Sequence, residues 1–262
     1  MTAEIIGMHE WLATPPGQYL LAWEQAQMDK VVADLFGFHA LQLGLPELDA
    51  LRANRMPHRW LATDTSGQTV GHKKVVLVTH YSALPFPANS LDLVVLPHAL
   101  ELTPDPHGAL REVERVLMPE GRVVICGINP VSLWGFRQRR AHWYRWLGRS
   151  RLFLPQAGDF IGYLRLRDWL RLLNLEIQTG QFGCYRPAFS SQAWLDRFAW
   201  VDLVGARSWP FLGSAYLLTA VKRVPGMTLL NPGWKPARRL ANTTVPVANS
   251  AGNTRATAQK DN

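Results

Sequence analysis

Two short apolar runs, LDLVVL from Leu91 and VVIC from Val123, bracket a stretch of helical periodicity, and few folds accept that arrangement. Strands that are apolar on both faces need cover on both sides, which a parallel β-α-β unit supplies. The intervening segment carries Leu110, Val113 and Leu117 at helical spacing, with Arg111, Glu112 and Arg115 between them. Pro106 suits a first helical turn, and Met118-Pro119-Glu120-Gly121 is a turn that ends it. The same reading predicts further strands over residues 40–43, 58–62, 74–79, 175–182 and 214–222. It predicts helices over 14–36, 46–53, 166–173 and around 191–204. The result is an α/β chain with a mostly parallel sheet of seven strands.

The words LPF (Leu84 to Phe86), S-x-D-x-V (Ser90 to Val94), PHALE (from Pro97), DPHGALREVERVL (from Asp105) and PEGRVVI (from Pro119) closely resemble the second half of a class I S-adenosylmethionine-dependent methyltransferase domain, of the type 11 group. The resemblance implies a Rossmann-like sheet with an antiparallel hairpin at one edge, spanning residues 1–224. It also implies S-adenosylmethionine as cofactor and methyl transfer by in-line displacement, a chemistry carried mainly by positioning. The positions matching the cofactor contacts of that family are Gly44, Asp64, His80, Ala83, Leu84 and Pro97. His98, in the loop past the second-half strand, is the candidate catalytic base, because open α/β sheets bind ligands at their carboxyl ends. Asn129 and Trp134 are the candidates to face a substrate.

The first half departs from that pattern. Where the family has an acid and three glycines, this chain reads Gln42-Leu43-Gly44-Leu45-Pro46-Glu47-Leu48, retaining only Gly44. Leucines occupy space that glycines would leave open, Pro46 lacks an amide donor, and Glu47 places a carboxylate where the cofactor carries its own. Asp64 is followed by a link of about ten residues, short for a parallel crossover. His80 stands where an acid would meet the adenine.

Composition adds bounds. The chain has 262 residues and a formal net charge of +8, and its two cysteines have no metal spacing around them. Buried thiols, no metal and a cytoplasmic setting are the expectation, since Met1 to Met8 has no leader character and no run suits a bilayer. Residues 131–160 form a basic, aromatic insert: six arginines and no carboxylate lie between Val131 and Gly158. Such a segment suits a cap over a pocket, an anionic lipid surface or RNA. Residues 225–262, rich in Pro, Asn, Thr and Ala, read as a disordered basic tail. Two functions follow: a methyltransferase with a divergent cofactor loop and unidentified acceptor, or a pseudo-methyltransferase that binds or regulates.

Overall fold

The computed structural model describes residues 7–64, 77–145, 153–155 and 160–223, with the backbone alone for 142–145. Among these, seven strands make one sheet: β1 His39–Leu43, β2 His58–Thr63, β3 Leu77–Val78, β4 Leu91–Pro97, β5 Leu117–Ile128, β6 Leu175–Gly183 and β7 Ala215–Lys222. Their order is β3-β2-β1-β4-β5-β7-β6. Strands β1 to β5 run parallel, and β7 lies antiparallel between β5 and β6. The strand order therefore reverses between β1 and β4, the point at which such sheets open a crevice.

The helices are α1 Met8–Leu12, α2 Pro15–Ala33, α3 Ala99–Leu102, α4 Pro106–Val116, α5 Leu133–Arg145, α6 Tyr163–Leu172, α7 Gln192–Arg197 and α8 Trp200–Ser208. The α4 start combines Pro106 in the first turn with the Asp105 carboxylate, which accepts from the Gly108 amide at 2.8 Å. Two apolar clusters flank the sheet. Leu20, Met28, Val32, Leu93, Val95 and Trp134 belong to one, and Leu41, Val94, Leu110, Val113, Val123 and Leu218 to the other. Alternate residues of β4 go to opposite clusters, as burial on both faces requires.

The helix expected from Thr14 is α2, with Thr14 at its N-cap position and Pro15 and Pro16 in its first turn, and α1 is a further short helix before it. Two expectations are corrected. Residues 46–53 form successive turns rather than a helix. The buried Gln42 amide donates to the carbonyls of Gly44, Leu45 and Leu48 and accepts from the Ala50 amide, tying up groups a helix would use. The single helix around 191–204 is two, α7 and α8, parted by a tight turn in which the Ala199 amide reaches the Asp196 carbonyl. The link after Asp64, the start of the expected third strand, part of the 131–160 insert and the tail from 225 lie outside the described residues.

Candidate functional site

The β1–β4 crevice is built from the ends of both strands and from α2, which crosses them. At the end of β4 the backbone turns through a left-handed conformation at His98 (φ 53°), and α3 begins. This geometry drives the imidazole inward, where it is wholly buried. Its Nε2 lies 2.7 Å from Glu24 Oε1 of α2, and its Nδ1 lies 2.7 Å from Glu101 Oε2 of α3. Glu101 Oε1 in turn accepts from the Ile128 amide at the end of β5, at 2.6 Å. Burial disfavours a charged ring, but the Glu24 and Glu101 carboxylates outweigh it and raise the His98 pKa to about 10. Burial pushes the Glu101 carboxyl up despite the ring beside it. His98 is therefore an imidazolium clamped between two carboxylates. It presents no free nitrogen to a substrate, which corrects the expectation of a catalytic base.

Gly44 follows β1 with φ 78°, and a Cβ there would lie 2.9 Å from the Tyr81 hydroxyl. Tyr81 is buried and hydrogen-bonded to the backbone of Asp64; burial raises its pKa. The same hypothetical Cβ would lie 3.6 Å from the Ala99 methyl, so the phenol reaches across the gap between the strand ends. Leu45 and Leu48 are buried in the core cluster that includes Leu20 and Met28. Glu47 is turned away to His9. The space over β1 and β4 is thus filled by Tyr81, by Leu45 and Leu48, and by the His98 clamp.

Of the other expected residues, Asp64 adjoins Gly44 through Tyr81, and the rest are scattered. Asp64 is exposed at the end of β2, and His80 and Ala83 are exposed on the turn before β4, where the Ala83 amide bonds the His80 carbonyl at 3.0 Å. Leu84 is buried in the core, with its amide on Glu112, and Pro97 is buried within β4 opposite Cys126. Asn129 is buried and pins a loop: its amide donates to the Phe211 and Gly213 carbonyls, both at 2.9 Å, and its oxygen accepts from Val131. Trp134 is wholly buried against Trp11, Tyr19 and Phe153, and its indole donates to the Arg186 carbonyl. These contacts correct the expectation that Asn129 and Trp134 face a substrate, since their polar groups are already paired inside the protein.

Two residues of the site were missed, and one had left a signal. Glu24 lies in the series Leu20, Glu24, Met28, Val32, so a carboxylate interrupts the buried stripe of α2. A charge at a core position needs a partner, and His98 is that partner. One Glu24 oxygen, Oε2, has no hydrogen-bond partner. Tyr81 gave no local signal, because its burial depends on Gly44, 37 residues earlier.

A cavity of about 600 Å³ lies elsewhere, at the carboxyl end of β6. Because β6 runs parallel to β5, this is the same end of the sheet as the crevice, displaced to the antiparallel edge. Trp23 and Gln27 of α2, Tyr163, Phe182, Tyr185 and Phe211 are among its walls. Asp202 contributes a carboxylate already held by the Tyr19 hydroxyl at 2.5 Å and by Arg186 Nε at 2.8 Å.

A family model described as a methyltransferase domain matches residues 48–125. The uncharacterized protein YafS of Escherichia coli (strain K12) is 30% identical over 223 residues, covering 85% of this chain and 83% of that one. A demethylmenaquinone methyltransferase of Anoxybacillus flavithermus is 36% identical over 138 residues, covering 44% of this chain and 58% of that enzyme. Among solved structures, an S-adenosylmethionine-dependent methyltransferase from Archaeoglobus fulgidus superimposes with a TM-score of 0.53 at 15% identity, covering 77% of this chain and 94% of that one. The strand order, the family words from Leu84 to Ile125 and these matches agree: the chain belongs to the class I S-adenosylmethionine-dependent methyltransferase family.

Proposed function

We propose that this chain uses the methyltransferase scaffold as a binding protein and not as a cofactor-dependent enzyme. The observation that carries the reading is the filled β1–β4 crevice. S-adenosylmethionine would need open space beside Gly44 and free amides after β1. The residues present do not fit that group. Tyr81 and the leucines take the space, Pro46 has no amide, and the His98 clamp faces inward with both nitrogens engaged. Filling this volume with side chains also stabilises the fold, since fully burying a leucine contributes about 1.5–3 kcal/mol. The 600 Å³ cavity near Trp23 is then the place for a ligand of the protein's own.

Calorimetric titration and thermal unfolding with S-adenosylmethionine and S-adenosylhomocysteine test this directly. A cofactor at a hundred times its Kd would add about 2.7 kcal/mol, and the midpoint would rise by about 5–11 °C for a chain of this size. The expected result is no saturable heat and no shift at millimolar ligand. A saturable shift sinks the proposal and favours the second reading, a methyltransferase whose Tyr81 swings out when the cofactor enters. That alternative rests on one observation, the left-handed glycine kept at Gly44.

A further inference from the structure

Helix α8 is inverted relative to an ordinary surface helix. Its sequence WVDLVGARS places Trp200, Leu203 and Val204 on one stripe at helical spacing, and that stripe faces water: Leu203 is 80% and Trp200 58% exposed. The side turned to the protein carries the buried Gly205 and the paired Asp202. Beyond the helix the apolar surface continues through Trp209, Phe211 (69% exposed) and Leu212, and before it through Trp194 of α7. Asn129 ties the Phe211–Gly213 backbone to the start of the insert, where Val131, Leu133 and Phe136 are also exposed. The cations on these elements, Arg139 and Arg140 of α5, Arg197 of α7 and Arg207 of α8, are exposed as well.

We propose that this face docks on an anionic lipid bilayer. Indole and phenyl rings beside aliphatic side chains, fringed by arginine, match the chemistry of the headgroup boundary, and the positive fringe complements acidic lipids. A second copy of the chain would set arginine against arginine. RNA would stack on the rings but would leave Leu203, Val204 and Leu212 against polar backbone. Ala206, Pro210 and Phe211 belong both to this face and to the 600 Å³ cavity, so the docked protein turns its cavity toward the lipid. The docking surface stands on α8 and its neighbours alone, whatever the crevice binds.

Flotation of the full chain with vesicles of phosphatidylcholine, with and without phosphatidylglycerol, decides it. The expected result is flotation with the phosphatidylglycerol vesicles at low salt, declining as salt rises. Trp200→Ser/Leu203→Asp should weaken partitioning at least about tenfold, and Arg207→Glu by about fivefold or more. Both variants should keep the wild-type unfolding midpoint, because the altered side chains are exposed. The proposal is overturned if the wild type stays in the aqueous layer or if the double variant floats as well as the wild type. It is equally overturned if that variant abolishes dimer formation or RNA binding while flotation is absent.

Discussion

His98 shows how one residue's burial can reverse its expected role. An exposed histidine past the end of β4 would titrate near neutrality and accept protons. Between Glu24 and Glu101 it keeps its proton up to about pH 10. The raised pKa sets the direction of a pH effect. Below pH 6.5 the ring is protonated in folded and unfolded chains alike, and the clamp contributes fully. Above 6.5 the unfolded chain gives up the proton while the folded one keeps it, so this stabilisation declines and is lost by about pH 10. Urea midpoints of the wild type and His98→Gln across this window should converge as pH rises; parallel profiles would remove the clamp from the account. His98→Ala leaves two buried carboxylates facing each other and should destabilise by about 3–5 kcal/mol, the typical effect of breaking a buried pair.

At the scale of elements, the segment after β1 holds the difference between this chain and a cofactor-binding methyltransferase. Gln42 organises it through three donated bonds and one accepted bond, and turns replace the helix whose amides would face a ligand. The resemblance places an acid at this position in the family. Gln42→Glu therefore tests what the loop is for. A carboxylate has no donor for the Gly44, Leu45 and Leu48 carbonyls, so the variant should lose about 1–3 kcal/mol, read as a lower urea midpoint. It should gain no affinity for S-adenosylhomocysteine. A gain in affinity with stability unchanged would mean that the loop is a damaged cofactor site and not a rebuilt one.

Across the whole molecule, α2 links the crevice to the far edge of the sheet. Glu24 serves the clamp, and one residue earlier Trp23 packs on the last residue of β6, Gly183. An added methyl at Gly183 would run into the indole ring. Gly183→Ala should therefore displace Trp23 from the cavity wall, change the near-ultraviolet circular dichroism and cost about 1–3 kcal/mol by overpacking. An unaltered spectrum and midpoint would show that α2 is not held in register by this contact. Among the described residues no helix is long and apolar enough to cross a membrane.

The sequence alone determined the sheet plan. Apolar runs at strand length and Pro106 with Asp105 act locally, so β4, α4 and the core of β5 formed where periodicity placed them. Residues 118–121, expected as a turn, lie instead within β5, where its register to β4 shifts. It also showed that the loop after β1 lacks its glycines, because a missing residue type is visible without coordinates. The site was less legible. Whether His98 faces solvent depends on Glu24, 74 residues away, and whether the crevice is open depends on where Tyr81 packs. The stripe of Trp200, Leu203 and Val204 reads as a buried helix face, since periodicity gives the stripe but not its direction. Tertiary structure alone decided that Trp134 goes inside and Trp200 outside. Both are tryptophans three residues from an arginine, and only the packing of neighbouring elements determines which of them is covered.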